Sequence, residues 1–209
     1  MSATQAASEG PARLAAILAG GAGSRMGEPK ATVDLAGRPL LAYAVAAARA
    51  AGLAPFVVAK EGTELPELDC SLLIEPDAPR HPLTGIVAAL EHAGTPIVVL
   101  ACDAPLVPPD LLAALASARS PLAMPEDPRP QPLVARYSPS LLDRLRAARD
   151  ADRPLVEVCE SIGGLRLGES RLELLGDPEE MFANANEPAD LERLEGVLRA
   201  RREESGSRG

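Results

Sequence analysis

The pattern of hydrophobic positions predicts a chain in which short buried strands alternate with amphipathic helices. Residues 14–18 and 97–101 are apolar throughout, and unbroken apolar runs of this length are typical of strands buried on both faces of a parallel sheet. Other short apolar segments are bounded by Gly, Pro or polar residues and also predict strands. The complete set of predicted strands is Leu14–Leu18, Phe56–Ala59, Leu72–Ile74, Ile97–Ala101, Leu122–Met124, Leu133–Tyr137 and Arg171–Leu175.

Between these strands, apolar residues recur at spacings of three and four, which predicts helices with one face packed on the sheet. The helical pattern covers residues 41–48, 86–90, 111–115, 141–145 and 191–198. The alternation of strands and helices predicts the α/β class, as a single domain with a mostly parallel, doubly wound sheet and helices on both faces. Ligands of such sheets bind beyond the carboxyl ends of the strands, so we expect the chemistry in the loops that follow them.

The size and composition of the chain narrow its organisation and partners. The 209 residues predict one domain over residues 13–199, with loose tails at 1–12 and 200–209. A net charge of −9 argues against a nucleic-acid surface, and an aromatic content of 2% leaves little for base stacking. The three cysteines, Cys70, Cys102 and Cys159, lie far apart and indicate neither a disulfide framework nor a zinc site. No secretory signal or membrane-length apolar run occurs, so we expect a cytoplasmic protein without a membrane partner.

The densest chemical signal follows the first strand, in the segment Leu18–Lys30. Four glycines within eight residues (20, 21, 23 and 27) allow main-chain amides to approach a ligand closely. Arg25 and Lys30 add positive charge to this segment in an otherwise acidic protein. The glycine spacing matches neither a Walker A motif nor the dinucleotide-binding fingerprint. The segment therefore predicts a polyphosphate-binding loop of another kind.

The second signal is Asp103, which follows the fully apolar strand at 97–101. By itself, a carboxylate in this place is well suited to capping a turn. At the same end of the sheet as a phosphate-binding loop, it is also a suitable oxygen ligand for Mg²⁺. We therefore favour the metal role for Asp103.

Several motifs together resemble a known family. The opening segment, LAGG-x-G-S-R-M-G-x-x-K followed by Gly37-Arg38-Pro39, resembles nucleotidyltransferases with a GT-A-like, Rossmann-type fold. Three further stretches are similar to the molybdenum cofactor guanylyltransferase family, in the same order along about residues 14–195. They are Pro82-Leu83-Thr84-Gly85, Cys102-Asp103-x-Pro105 and Phe182-x-Asn184-x-Asn186-x-Pro188.

The resemblance implies a reaction. This family joins GMP from GTP to the terminal phosphate of molybdopterin and releases pyrophosphate, which implies GTP and Mo-molybdopterin as substrates and Mg²⁺ as cofactor. It also implies transient contact with other proteins of the molybdopterin pathway. The attacking phosphate oxygen is already anionic, so catalysis needs positioning and charge neutralisation rather than a strong base.

The resemblance also assigns residues. Lys30 is expected to reach the phosphates, and Asp103 to hold Mg²⁺ and nucleotide; Arg25 is added to the catalytic set because of its charge and position. The expected nucleotide-binding residues of the opening loop are Leu18, Ala19, Gly20, Gly21, Gly23 and Ser24. Asn184 is assigned to the pterin side, whereas Asn186 is well placed to cap the last helix.

Two positions depart from the family pattern, and one further assignment has two candidates. His81 replaces a glycine, and it either covers the second substrate's site or faces solvent, of which we favour the latter. Ala59 stands where the family has a polar Asn. For the carboxylate that recognises the purine the chain offers Glu75-Pro76-Asp77, and Asp77 is our choice, with Glu75 as the alternative and a plain exposed loop acid as the non-functional reading.

Two residues near the end of the predicted sheet have less specific signals. Arg136 either meets the second substrate's phosphate or is a surface charge, and Tyr137 is expected to pack in the core or a loop.

Competing functions are a cytidylyltransferase of the same pathway or a small guanylyltransferase of deazaflavin or cobalamin assembly. From other classes, an NAD(P)-linked oxidoreductase or a non-catalytic nucleotide-binding domain is the alternative. Gly20-Gly21 favours guanylyl transfer, because the cytidylyl branch typically has Ala-Gly there.

Overall fold

The computed structural model describes residues 10–19, 29–67 and 69–206. Its main feature is a seven-stranded sheet with the strand order β5-β4-β1-β6-β8-β7-β9. The strands of this sheet are β1 (Leu14–Leu18), β4 (Ala54–Ala59), β5 (Ser71–Ile74), β6 (Ile97–Ala101), β7 (Leu122–Pro125), β8 (Val134–Tyr137) and β9 (Leu165–Leu167). A separate small hairpin is formed by β2 (Asp34–Leu35) and β3 (Arg38–Pro39).

Most neighbouring strands in the sheet are parallel, as the sequence predicts. The strands β5, β4, β1 and β6 pair in parallel, and β9 is parallel to β7. Only β8 breaks the pattern, because it is antiparallel to both β6 and β7. The parallel half places the carboxyl ends of four strands at one edge of the sheet.

Helices cover both faces of the sheet. They are α1 (Leu40–Ala50), α2 (Pro82–Ala93), α3 (Pro109–Ser117), α4 (Leu142–Asp150), α5 (Leu155–Ile162), α6 (Glu169–Leu172), α7 (Pro178–Met181) and α8 (Pro188–Gly206). Successive strand residues alternate between the two faces: Ile17 packs in a core with α1 and α3, whereas Ala16 packs in a core with α2, α4 and α5. None of the described helices is long and apolar enough to cross a membrane.

The strand predicted at Arg171–Leu175 is wrong. Arg171 and Leu172 lie in α6, and the following residues form a turn in which Leu174 is 76% exposed. The edge strand is instead β9, at residues 165–167. Its position depends on a close approach between the backbone of Gly164 and that of Leu122 at the start of β7. Gly164 has a φ of +105°, and a Cβ there would lie 2.4 Å from the carbonyl oxygen of Leu122. Only glycine allows the chain to enter β9 beside β7 in this way.

Both expectations for Arg136 are wrong. Its side chain is fully buried and donates hydrogen bonds to the carbonyl oxygens of Ser120 and Gly10. The antiparallel direction of β8 is the reason, because it pairs Arg136 with Val98 near the start of β6 and away from the carboxyl edge. Tyr137 is fully buried, as expected for a core residue, and donates to the carbonyl oxygen of Pro132.

The described ends of the chain are attached to the sheet layers. Ala12 is buried and its N–H donates to the carbonyl oxygen of Ala116 over 2.8 Å. At the other end, α8 continues past residue 199 to Gly206. Leu194 of this helix is fully buried against Leu35, Leu40 and other residues of a third core.

Candidate functional site

The carboxyl ends of β1, β4 and β6 open onto a cavity of about 490 Å³, which we call the first cavity. Leu18, Val58 and Ala101 form its floor at these strand ends, and Gly85 of α2 forms part of one wall. The site therefore lies where parallel sheets generally bind their ligands, beyond the carboxyl ends of the strands.

An ion pair between Lys30 and Asp103 lies in the lining of the first cavity. Lys30 Nζ is 2.7 Å from Asp103 Oδ2, and the two side chains are 18% and 23% exposed. Asp103 follows β6, and Lys30 lies in the loop between β1 and β2, 73 positions earlier. The Asp103 carboxylate thus accepts a hydrogen bond from Lys30, and no described main-chain N–H donates to it in the manner of a turn cap.

Asn186 also binds Lys30, and the expectation that it caps α8 is wrong. Its Oδ1 accepts a hydrogen bond from Lys30 Nζ over 2.5 Å. The helix start is capped by Asp190, whose Oδ2 accepts from the main-chain N–H groups of Asn186 (2.9 Å) and Glu187 (3.0 Å). An acidic residue in the first turn is a known capping signal, and it was present in the sequence.

The loop that carries Asn186 is anchored to the Asp103 loop. The N–H of Ala185 donates to the carbonyl oxygen of Asp103 over 2.9 Å. Ala183 and Ala185 are buried in the third core together with Leu106, which follows Asp103. The C-terminal motif and the loop after β6 therefore form one rigid support for the cluster Lys30, Asp103 and Asn186.

Glu75 is a buried carboxylate in the first cavity. It directly follows β5, is only 8% exposed, and accepts no hydrogen bond from any described group. Burial raises the pKa of its carboxyl group, an effect opposed by the charge of Lys60 and reinforced by that of Asp77. A buried, unpartnered carboxylate with a raised pKa is a feature of ligand-binding and catalytic sites.

Glycine at position 85 is what makes room for this carboxylate. A Cβ built on Gly85 would lie 2.8 Å from Glu75 Oε2 and 3.3 Å from Leu18 Cδ2. Any larger residue would therefore displace Glu75 or narrow the cavity. By contrast Asp77 is exposed and is not among the described residues that line the first cavity. Of the two carboxylates predicted for the base, it is therefore the alternative, Glu75, and not Asp77 that lines the first cavity.

Glu75→Gln is expected to stabilise the folded protein at pH 7 and to do so much less at pH 4. Because the folded-state pKa is raised, the folded protein holds this proton more tightly than the unfolded chain does. The resulting stability is fully present below the ordinary pKa of 4.5 and is lost as the pH rises through the raised value. Glutamine does not ionise and therefore avoids that loss. Urea unfolding at the two pH values measures the difference.

The control for this prediction is Glu67→Gln, which removes a similar charge at an exposed position. It should change the free energy of unfolding little at either pH. Equal effects of Glu67→Gln and Glu75→Gln would show that net charge, and not burial of Glu75, is the cause.

A second cavity, of about 340 Å³, adjoins the first. Its lining includes Gln131, Leu155, Phe182 and Asn184, and it shares Pro82, Ala101, Asp103 and Leu133 with the first cavity. Asn184, which is predicted to lie on the side of a second substrate, thus lines the second cavity and not the first. Two adjoining cavities with a carboxylate in their shared wall can hold two ligands with their reacting groups side by side.

His81 caps α2 and also forms part of the first cavity's wall. Its Nδ1 accepts a hydrogen bond from the N–H of Leu83 over 3.1 Å, and the residue is half-buried. This is the usual role of an N-cap side chain, which satisfies one of the free N–H groups at a helix start. The structure therefore gives His81 a role that neither sequence expectation included.

The opening loop is described only at its two ends. Leu18 lines the first cavity and accepts from the N–H of Cys102, while the buried Ala19 donates its N–H to Val58. The remaining predicted residues of this loop lie outside the described residues; they are Gly20, Gly21, Gly23, Ser24 and Arg25.

The oxygen donors around Lys30 suit a magnesium ion bound together with phosphates. Within the described ranges, no group of three His, Cys, Asp or Glu side chains could hold a metal without other ligands. Mg²⁺ commonly uses only one or two carboxylates, with water and substrate phosphates completing its octahedral coordination. The Asp103 carboxylate fits this requirement.

Comparison with known proteins gives a consistent result. The family model of the MobA-like NTP transferase domain matches residues 15–165. The molybdenum cofactor guanylyltransferase of Rhodobacter capsulatus is 34% identical over 194 residues, which cover 88% of this chain and 95% of that protein. A probable molybdenum cofactor guanylyltransferase of Deinococcus radiodurans is 36% identical over 199 residues, covering 87% and 93%.

Solved structures include a similar fold. The crystal structure of molybdopterin-guanine dinucleotide biosynthesis protein A from Archaeoglobus fulgidus is similar with a TM-score of 0.77 and 26% sequence identity. The similarity covers 89% of this chain and 98% of that one.

Proposed function

The chain belongs to the family of MobA-like NTP transferases, and on that premise we propose that it transfers GMP from GTP to the terminal phosphate of Mo-molybdopterin. Pyrophosphate is the second product, and Mg²⁺ is the cofactor. The family membership makes the protein a nucleotidyltransferase. The choice of GTP, of the molybdopterin acceptor and of Mg²⁺ is the proposal.

The observation that carries the proposal is that two adjoining cavities have Asp103 in their shared wall. The first cavity has a volume suited to a nucleotide and contains Lys30 and Glu75. The second has fewer charged residues in its lining and contains Phe182 and Asn184, in keeping with a ring-bearing acceptor. A phosphate of the acceptor that entered from the second cavity would meet the α-phosphate of the nucleotide beside Asp103. This arrangement supports direct transfer between two bound substrates.

Lys30 is the residue proposed to bind the phosphates of GTP. Its ammonium group is held between Asp103 and Asn186, so its position is set before the nucleotide binds. A fixed cation at the phosphates stabilises the charge that develops on the transferred group and on the departing pyrophosphate. Arg25, whose position is outside the described residues, is proposed to add to this charge.

The reaction does not require a histidine base. The attacking oxygen belongs to a phosphate and is already anionic, so no proton must be removed from it. Consistent with this, His81 Nδ1 is occupied as the cap of α2, and the ring of His92 packs against Phe56 at a centroid distance of 5.4 Å. The chain's part in catalysis is therefore to position the phosphates and to neutralise their charge.

Asp103 is proposed to hold Mg²⁺, with oxygens of the nucleotide phosphates as further ligands. When bound, the ion would act as a Lewis acid that draws charge from the phosphate oxygens. The binding of Lys30 to Asp103 Oδ2 leaves the other carboxylate oxygen for this role. The expected cytoplasmic location and the transient contacts with proteins of the pathway stay predictions.

Glu75 is proposed to recognise the guanine base, in preference to Asp77. Guanine presents its N1–H and its 2-amino group side by side, and one ionised carboxylate can accept from both. Glu75 lines the first cavity with no competing donor, whereas the Asp77 side chain is exposed. Cytosine has no equivalent pair of donors, so a cytidine nucleotide would leave this buried acceptor unsatisfied.

Glu75→Gln is expected to lower the preference for GTP over CTP by roughly ten- to a hundredfold, since an unsatisfied buried group costs about 1–3 kcal/mol. The measurement is kcat/KM for pyrophosphate release with each nucleotide and Mo-molybdopterin, with the dinucleotide product identified by mass spectrometry. Asp77→Asn is the matched comparison and should keep the preference. A wild-type enzyme that prefers CTP would contradict guanylyl transfer, and loss of selectivity in Asp77→Asn alone would return the role to Asp77.

A further inference from the structure

Three basic residues, Lys30, Lys60 and Arg80, line the first cavity, and the proposed reaction gives Lys60 no part. Only two of the chain's 21 basic residues are lysines, and both of them, Lys30 and Lys60, line this cavity. Lys60 directly follows β4, in the parallel half of the sheet. Ala59 before it is fully buried and offers no polar side chain. Lys60 is therefore the polar side chain at the carboxyl end of β4, where it lines the first cavity.

Hydrogen bonds hold the Lys60 ammonium group on the loop that follows Glu75. Nζ donates to the carbonyl oxygens of Pro76 (3.1 Å) and Asp77 (2.6 Å). An ammonium group has three N–H donors, and no described group accepts from the third. A half-buried lysine with one free donor is thus held beside a buried carboxylate with free acceptors.

We propose that Lys60 determines the base specificity of the first cavity by donating a hydrogen bond to O6 of guanine, while Glu75 accepts from N1–H and the 2-amino group. This inference rests on the proposed guanylyl transfer and adds a residue to it. The order of groups along the guanine edge is acceptor, donor, donor. An ammonium group can only donate and an ionised carboxylate can only accept, so the pair matches that order.

The same pair rejects the other common bases. Adenine and cytosine each carry an amino group where guanine carries O6, so a donor would face a donor at Lys60. Both also have an unprotonated ring nitrogen where guanine has N1–H, and this would face the carboxylate of Glu75. Uracil offers one matching acceptor and one matching donor, but its second carbonyl would oppose Glu75. The most complete match is guanine.

Two GTP analogues separate the contacts of Lys60 and Glu75. In 6-thio-GTP a sulfur, which is a weak acceptor, replaces O6, and ITP lacks the 2-amino group. The experiment measures kcat/KM for GTP, 6-thio-GTP and ITP with wild type, Lys60→Met, Lys60→Arg and Glu75→Gln. Folding of each variant is verified by thermal unfolding.

Wild type should prefer GTP over 6-thio-GTP by roughly tenfold or more, as expected for one hydrogen bond from a charged donor. Lys60→Met should reduce this preference to near one and leave the preference for GTP over ITP unchanged. Lys60→Arg, which keeps a cationic donor, should retain part of the O6 preference. Glu75→Gln should show the opposite result, with loss of the preference over ITP only.

A role of Lys60 in holding the loop alone would lower kcat/KM for all three nucleotides in proportion, and this result would overturn the inference. If Lys60→Met does not fold, amine methylation of the wild type provides the test. Saturating GTP should slow modification of Lys60, and an unchanged rate would overturn the inference. A wild type that uses CTP instead of GTP would contradict the proposed function itself, whereas a GTP-specific wild type with an unaltered O6 preference in Lys60→Met would contradict only the role of Lys60.

Discussion

Asp103→Ala is expected to lower the rate of nucleotidyl transfer at least a thousandfold, which corresponds to about 4 kcal/mol or more in the barrier. The variant loses the carboxylate proposed to hold the metal at the point where the two cavities meet. It also releases Lys30 from its ion pair, so two charges at the phosphates change together. The measurement is single-turnover transfer with GTP and Mo-molybdopterin at saturating Mg²⁺.

The matched control for Asp103→Ala is Asp110→Ala. Asp110 is exposed in the first turn of α3 and follows the same loop, so its removal changes the net charge equally without touching either cavity. Asp103→Ala itself should lose no more than about 1 kcal/mol of folding stability, because the Lys30–Asp103 pair is partly exposed. Full wild-type activity in excess EDTA would refute the metal role of Asp103.

Lys30→Met is expected to reduce kcat/KM for GTP by roughly a hundred- to a thousandfold, the range found for removing one preorganised group that stabilises the transition state. Methionine keeps the length and the apolar stem of the side chain, so the change isolates the ammonium group. Loss of its bonds to Asp103 and Asn186 should cost about 1 kcal/mol of stability. Steady-state kinetics and urea unfolding of the same preparation measure both effects.

A double-mutant cycle tests whether Lys30 and Asp103 act as a unit. If they do, Lys30→Met combined with Asp103→Ala should be little worse than Asp103→Ala alone. Additive losses would show that the ion pair seen between them has no part in catalysis. Normal turnover of Lys30→Met, with a large loss of stability, would instead give Lys30 a purely structural role.

The strands that carry the site were predictable because their signal is local. The unbroken apolar runs at residues 14–18 and 97–101 match β1 and β6 without a shift at either end. A strand buried on both faces needs apolar residues at every position. An unbroken apolar run therefore indicates, without knowledge of the rest of the fold, that the strand lies inside the sheet. The segment at 171–175 has no such constraint, and its apolar residues became a short helix and a turn.

The part of the site that follows directly from those strands was also predictable. Asp103 and Lys30 were assigned to the same end of the sheet, and the structure brings them within 2.7 Å of each other. A parallel sheet collects the carboxyl ends of its strands at one edge whatever the loops contain. The order of motifs and the fold class were therefore enough to associate residues far apart in the chain.

By itself the sequence determined the fold class, the strands that border the site, and the placement of Lys30 and Asp103 at the same end of the sheet, since each depends on local periodicity or on a general property of parallel sheets. Only the tertiary structure decided which neighbouring side chain enters a cavity. Glu75 and Asp77 are two positions apart and chemically alike, but the missing Cβ of Gly85 on α2 makes room for Glu75 alone. Likewise the contact of Asn186 with Lys30 joins residues 156 positions apart. Such contacts depend on how separate elements pack, and no short stretch of sequence contains that information.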